Sequence, residues 1–150
     1  MGQPKLLMPW GDGVILDAVI NAWQAAEVDA IVVVTTTQHI EIQQLCRDQD
    51  VHLVVPEPPP AEMKDSVVAA LQYLAVNCHP TESDLWLLAP ADLPTLSPAI
   101  ISQVVACAKA NPQAIVIPQH AGRNGHPAAF PWLLADEVAR LTDAEGVNAL

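Results

Sequence analysis

The stretch that most constrains the fold is Leu85-Trp86-Leu87-Leu88-Ala89-Pro90-Ala91-Asp92-Leu93-Pro94. Its apolar run leaves no polar side chain on either alternating face, so as a strand it must be covered on both sides. A lone carboxylate then stands between two prolines. In an open α/β sheet, ligands bind just beyond the carboxyl ends of the strands, where an acid can meet a metal or a phosphate. Aspartate is also a good turn-former, so locally Asp92 reads equally well as a ligand or as the residue that shapes the turn.

The rest of the chain supplies the covering helices. Val14, Ile15, Val19, Ala22, Trp23 and Ala26 recur at helical spacing with polar Asp17, Asn21 and Gln24 between them. Ala30 to Thr35 is a continuous β-branched run, Ile40 to Cys46 a second helix, and Val51 to Val55 a second strand, stopped by Pro56-Glu57-Pro58-Pro59-Pro60. Lys64 to Asn77 carries Val67, Val68, Leu71, Leu74 and Ala75 on one face. Ser97-Pro98 opens a further helix, with serine at the cap and proline in the first turn, and Asn111-Pro112 ends it. Ala114 to Ile117 reads as a strand, Gly122 to Pro127 as a turn-rich loop, and Pro131 to Leu141 as a helix. Alternating strands and helices predict an α/β domain with a mainly parallel sheet.

A length of 150 residues suits a single domain with a full core. Apolar residues make up 51% and charged residues 15%, which excludes a disordered chain. No apolar stretch approaches the roughly 20 residues of a membrane span, and the start shows no charged-then-apolar signal pattern. With 6 basic and 17 acidic residues the formal charge is −11, which repels nucleic acid and anionic membranes alike. Cys46, Cys78 and Cys107 fit neither a metal knuckle nor a disulfide framework. Each is expected to pack as a small apolar residue, and a cytoplasmic location follows.

An anionic substrate of so acidic a chain needs local help, which makes the few cations informative, Lys5 and Arg123 among them. Lys5 can be a surface residue or a point charge on a phosphate. Glu62-Met63-Lys64-Asp65-Ser66 opens a helix whose first amides favour anions, or is simply a capped helix start. Asp92 can hold Mg²⁺, which keeps several waters and shares substrate phosphates. Gly125 permits close backbone approach and His126 brings an imidazole. His120 and His126 lack a third ligand at suitable spacing, so they do not make a catalytic zinc site.

Taken in order, Met1-Gly2-Gln3-Pro4-Lys5-Leu6-Leu7, Met63 to Leu71, Ala91-Asp92-Leu93-Pro94, Gly125-His126-Pro127 with Phe130, and Glu145-Gly146-Val147-Asn148-Ala149-Leu150 resemble the nucleotidyltransferases of molybdenum-cofactor maturation. The likeness is to their Gly-His-Pro branch, that of molybdenum cofactor cytidylyltransferase, and it spans the chain. It implies a three-layer Rossmann-like nucleotide-diphospho-sugar transferase fold. It also implies transfer of CMP or GMP from CTP or GTP to molybdopterin, with Mg²⁺ as cofactor. In that reading Lys5 contacts the nucleotide phosphates and Asp92 binds Mg²⁺, the two forming the catalytic pair. Met63 and Ser66 lie beside the nucleotide, and Gly125, His126 and Pro127 face the pterin.

Family members carry a buried strand and a glycine-rich loop, Leu-Ala-Ala-Gly-x-Ser-x-Arg, ahead of the lysine, and a second metal-binding aspartate beyond the position of Leu150. The expectation is therefore a form shortened at both ends that lacks the family's first strand, with an exposed strand edge able to recruit a second copy. Lys64 stands where the family tends to have a small residue. Two other readings fit the same residues: a related sugar-phosphate nucleotidyltransferase, and a non-catalytic nucleotide-binding or assembly module.

Overall fold

The computed structural model describes residues 4–142 and 145–150. Met1, Gly2 and Gln3 of the signature segment lie outside the described residues. The chain gathers into two compact units, one from the segments up to Asp29 and Leu85–Pro131, the other from Ala30–Asp84 and Trp132–Leu150.

In the first unit, a turn of 3₁₀-helix over Lys5–Leu7 leads into a tight hairpin, β1 (Pro9–Trp10) and β2 (Gly13–Val14). Helix α1 (Ile15–Ala25) follows at once. The Asp17 carboxylate accepts the Val14 N–H at 3.0 Å and so closes the helix entry. A Cβ on Gly13 would meet a carboxylate oxygen of Asp17 at 2.7 Å, so a larger residue there would make that side chain shift. The apolar stripe of α1 buries Ile15, Leu16, Val19, Ile20 and Ala22.

Strand β5 (Leu85–Leu88) pairs antiparallel with β8 (Ala128–Pro131) in the register Leu85↔Pro131, Trp86↔Phe130, Leu87↔Ala129, Leu88↔Ala128. Helix α4 (Pro98–Ala110) begins with Pro98 in its first turn and buries Ile101, Val104 and Ala108. Ser97 occupies the cap position as expected, but its side chain makes no capping hydrogen bond. Val19, Ala22, Leu96 and Ile101 form one buried cluster, against which Leu87, Ala89 and Leu93 pack. Val104, Ala108 and Ala129 form another, with Leu85, Leu87 and Val116 around it. A short hairpin, β6 (Gln119–His120) with β7 (Arg123–Asn124), precedes β8.

In the second unit, β3 (Val32–Val34) and β4 (His52–Val54) run parallel, with α2 (Ile40–Arg47) between them in sequence. Helix α3 (Met63–Asn77) packs on β3, on β4 and on α5 (Ala135–Arg140). Asp65 accepts the N–H groups of Ala61 and Glu62, at 3.2 and 3.1 Å, and thereby satisfies donors at the start of α3.

The architecture is α/β. Among the described residues the parallel ladder is β3–β4, and the other ladders are antiparallel. Three sequence expectations need correction. The strand at Ala114–Ile117 shrinks to a single antiparallel bridge, Val116↔Ala129. The helix expected from Pro131 starts only at Ala135, because Ala128–Pro131 is a strand and Trp132–Leu134 a 3₁₀ turn. Of the cysteines, only Cys46 is buried; Cys78 and Cys107 are exposed, and all three are free. Among the described residues, no helix is long and apolar enough to cross a membrane.

Ile100 and Ile101 offer a direct check of this core, since the first is 41% exposed and the second fully buried. Ile101→Ala should lower the unfolding free energy by about 2–5 kcal/mol, and Ile100→Ala by roughly 0.5 kcal/mol or less. Urea denaturation of the two variants measures the contrast.

Candidate functional site

The first unit brings its sequence-distant motifs to one end of the β5–β8 ladder. Because Leu88 pairs with Ala128, the residues that follow β5 and those that precede β8 leave the sheet at the same end. Ala89 to Asp92 and Gly125 to Pro127 are therefore neighbours by register, at the carboxyl end of β5.

Asp92 sits in an exposed turn pinned from below. Leu93 and Leu96 pack into the core around Val19 and Ile101, and the Leu96 N–H donates to the Leu93 carbonyl at 3.1 Å. Lys5 is placed in a similar way, on a 3₁₀ turn anchored by buried Leu7. Its Nζ donates to Asp92 Oδ2 at 2.6 Å, closing a contact across 87 positions of sequence. The hydrogen bond from Lys5 is the main cause holding the Asp92 carboxyl below its usual range; slight desolvation opposes it, and the lysine charge adds to the lowering. Both side chains are largely solvated, at 64% and 43% exposure, and a pair this open contributes only about 0–1 kcal/mol to stability.

In the Gly-His-Pro loop the Gly125 N–H donates to the Pro118 carbonyl at 2.7 Å. A Cβ on Gly125 would lie 3.4 Å from that oxygen. Pro127 is fully buried, His126 is exposed, and a cis peptide bond joins them. The loop thus has one anchored residue and one presented imidazole. Met63 and Ser66 lie one turn apart at the start of α3, in the second unit, Met63 exposed and Ser66 half-buried.

The sequence reading missed the β6–β7 hairpin. Its turn, Ala121-Gly122, has positive φ at both residues, 49° and 75°, the geometry that suits a two-residue hairpin. The signal present was Gly122 between two short polar pairs; alanine in the first turn position, where asparagine or glycine is usual, hid it.

A family model described as the MobA-like NTP transferase domain matches residues 1–150. The chain belongs to the MobA-like NTP transferase family. Among solved structures it is similar to Rv0371c from Mycobacterium tuberculosis H37Rv, with a TM-score of 0.83 and 24% identity over 99% of this chain and 74% of that one. A manganese complex of Rv0371c aligns with a TM-score of 0.76 at 24% identity, covering 93% and 71% of the two chains. A cytidylyltransferase from Leptospira borgpetersenii aligns at 0.68 and 16% identity, over 92% and 58%. No curated protein matches the sequence. These likenesses support the nucleotidyltransferase fold.

A MobA-like transferase domain works with a divalent cation, and the donor set here allows one mode of binding it. Among the described residues no three His, Cys, Asp or Glu side chains gather, so these residues form no cage of their own. Asp92 fits instead the habit of Mg²⁺, which takes one or two carboxylates, several waters and substrate phosphates. The Lys5 ammonium already marks the position beside Asp92 Oδ2 as one that accepts positive charge.

Lys5→Met should raise the Asp92 pKa towards that of an unpaired aspartate, read by carboxyl NMR across an acid titration. In the wild type the depressed pKa supplies stability above the unfolded-state value, which is lost as pH falls through the folded-state value. The variant should lose that acid-range dependence. An unchanged Asp92 titration would sink the assignment of the shift to Lys5.

Proposed function

We infer that this MobA-like domain transfers CMP from CTP, or GMP from GTP, to the phosphate of molybdopterin and releases pyrophosphate. The observation that carries the reading is the Lys5–Asp92 contact, at 2.6 Å, at the sheet end shared with the Gly-His-Pro loop. An oxygen of the molybdopterin phosphate attacks the α-phosphorus of the nucleotide. A new P–O–P bond forms as the bond to the β-phosphate breaks, and its electron pair leaves with pyrophosphate. No covalent enzyme intermediate is needed, so the protein's work is positioning and charge neutralisation.

Lys5, once released from Asp92, is a point charge for the triphosphate. Asp92 is the protein's ligand to Mg²⁺. When bound, that ion neutralises the phosphate oxygens and favours departure of pyrophosphate. Met63 and Ser66 are assigned to the nucleotide, and Gly125, His126 and Pro127 to the pterin. Support comes from family membership and from the physical fit of one carboxylate plus one ammonium to a metal–triphosphate substrate.

Thermal unfolding with Mg²⁺ and each nucleotide tests the reading. A ligand at about 100 times its Kd stabilises the folded state by roughly 2.7 kcal/mol, and the shift should appear with CTP or GTP and vanish in Asp92→Asn. Stabilisation that persists in Asp92→Asn would remove Asp92 from the site, and no shift with any nucleotide would reject the transferase reading.

A further inference from the structure

Residues 93–135 contain no aspartate or glutamate, in a chain that has 17 of them and a formal charge of −11. The cations of that span are Lys109 and Arg123, and its histidines are His120 and His126. The net charge disfavours an approaching anion, so a stretch that carries cations and no carboxylate of its own is the least unfavourable part of the chain for one; Asp92, at the same sheet end, is paired with Lys5. The other basic side chains are already engaged: Lys5 on Asp92, Arg47 on Gln43, Lys64 on the Leu141 carbonyl, Arg140 on Glu137. Arg123 has no acceptor among the described residues.

The hairpin gives Arg123 a definite neighbour. His120 and Arg123 are opposed partners across β6–β7. Gln119 and Asn124, opposed at the next position, share the other face, where their side chains hydrogen-bond at 2.9 Å. Opposed side chains on one face have Cβ atoms about 4.5–5.5 Å apart, close enough for a guanidinium and an imidazole to share one oxyanion. The hairpin base is closed by the Gly125 N–H on the Pro118 carbonyl at 2.7 Å. Its position follows from register: Val116 runs antiparallel to β8 at Ala129, hence alongside β5 in direction, and the chain leaves it toward the end where Leu88 meets Ala128. The arm therefore stands beyond the sheet end that carries Asp92 and Lys5.

We propose that Arg123, with His120 beside it, reads the phosphate-monoester dianion of the acceptor substrate. The guanidinium fork can hold two terminal oxygens and leave the third free as the nucleophile. Uncharged alcohols of the same shape are then rejected. The identity of the acceptor rests on the transferase reading above; the anion preference of the hairpin does not.

The test is an amide NMR titration of the full chain with naphthyl phosphate, a planar aryl monoester, without nucleotide or metal. Naphthylmethanol is the uncharged control and Lys109→Gln the charge control. Saturable shifts are expected at the amides of residues 119–126, weakened about tenfold in Arg123→Gln, partly restored in Arg123→Lys and unchanged in Lys109→Gln. Three results would overturn the proposal: no saturable shift in the hairpin, equal losses in Arg123→Gln and Lys109→Gln, or equal binding of the neutral control. Arg123→Gln should keep the wild-type thermal response to Mg²⁺ and nucleotide. A failure of the nucleotide reading would therefore show in that response, apart from any failure of the hairpin.

Discussion

The pairing of β5 with β8 is the constraint on which the rest of the first unit depends. Side chains alternate with a period of two, so a slip of one residue would exchange the faces of the strand. Here both faces resist it. On one, Trp86 stacks on Phe130 with centroids 4.1 Å apart and planes 10° from parallel; on the other, Leu85 and Leu87 pack with Ala129, Val104 and Ala108. Slipped, Trp86 would face Ala129 or Pro131 and the α4 contact would be lost. The register carries a cost, since the Trp86 indole N–H is buried without an acceptor among the described residues, a defect of about 1–3 kcal/mol. What it secures is the meeting of two loops that lie more than thirty positions apart in sequence.

The same end of the sheet explains the electrostatics. Lys5 lowers the Asp92 pKa below the usual carboxylate range, but the exposed carboxyl is ionised at neutral pH in any case, so a cation approaching it would meet an ammonium and not a proton. It has only to displace an ammonium that is itself well solvated and weakly held. In the function proposed above, a triphosphate would favour that exchange from both sides, bringing its own cation for the carboxylate and giving the lysine a new anion. An exposed ion pair is poor as a structural tie and good as a replaceable one.

Much of this was legible in the sequence, and the exceptions have physical causes. Leu85–Leu88 and Pro98–Ala110 read true because apolar period and flanking breakers agree. The helix read over Lys64 to Asn77 starts one residue earlier, at Met63. The strand Ala128–Pro131 was hidden by Pro127 and Pro131, which look like breakers; its partner β5 lies far away in sequence, so no local period announced it. Ala114–Ile117 looked like a strand by composition, yet only Val116 finds a ladder partner. The Lys5–Asp92 pairing was likewise invisible to spacing, since only the tertiary fold closes that separation. Resemblance named both residues; the geometry joined them.

Lys64, where the resemblance leads one to expect a small residue, is accommodated locally. A lysine in the first turn of a helix opposes the dipole, whose positive end is there, and this one is only 8% exposed. Two features offset the cost. Asp65, next to it, accepts N–H groups at the helix entry and brings a negative charge to that end. The ammonium reaches back to the Leu141 carbonyl at 3.0 Å, and its field helps hold the Glu145 carboxyl below its usual range, after the backbone and hydroxyl bonds from Thr142. A small residue at position 64 would leave α3 and the segment after α5 without this link. The long side chain therefore reads as a tie between the start of α3, where Met63 and Ser66 stand, and the C-cap of α5.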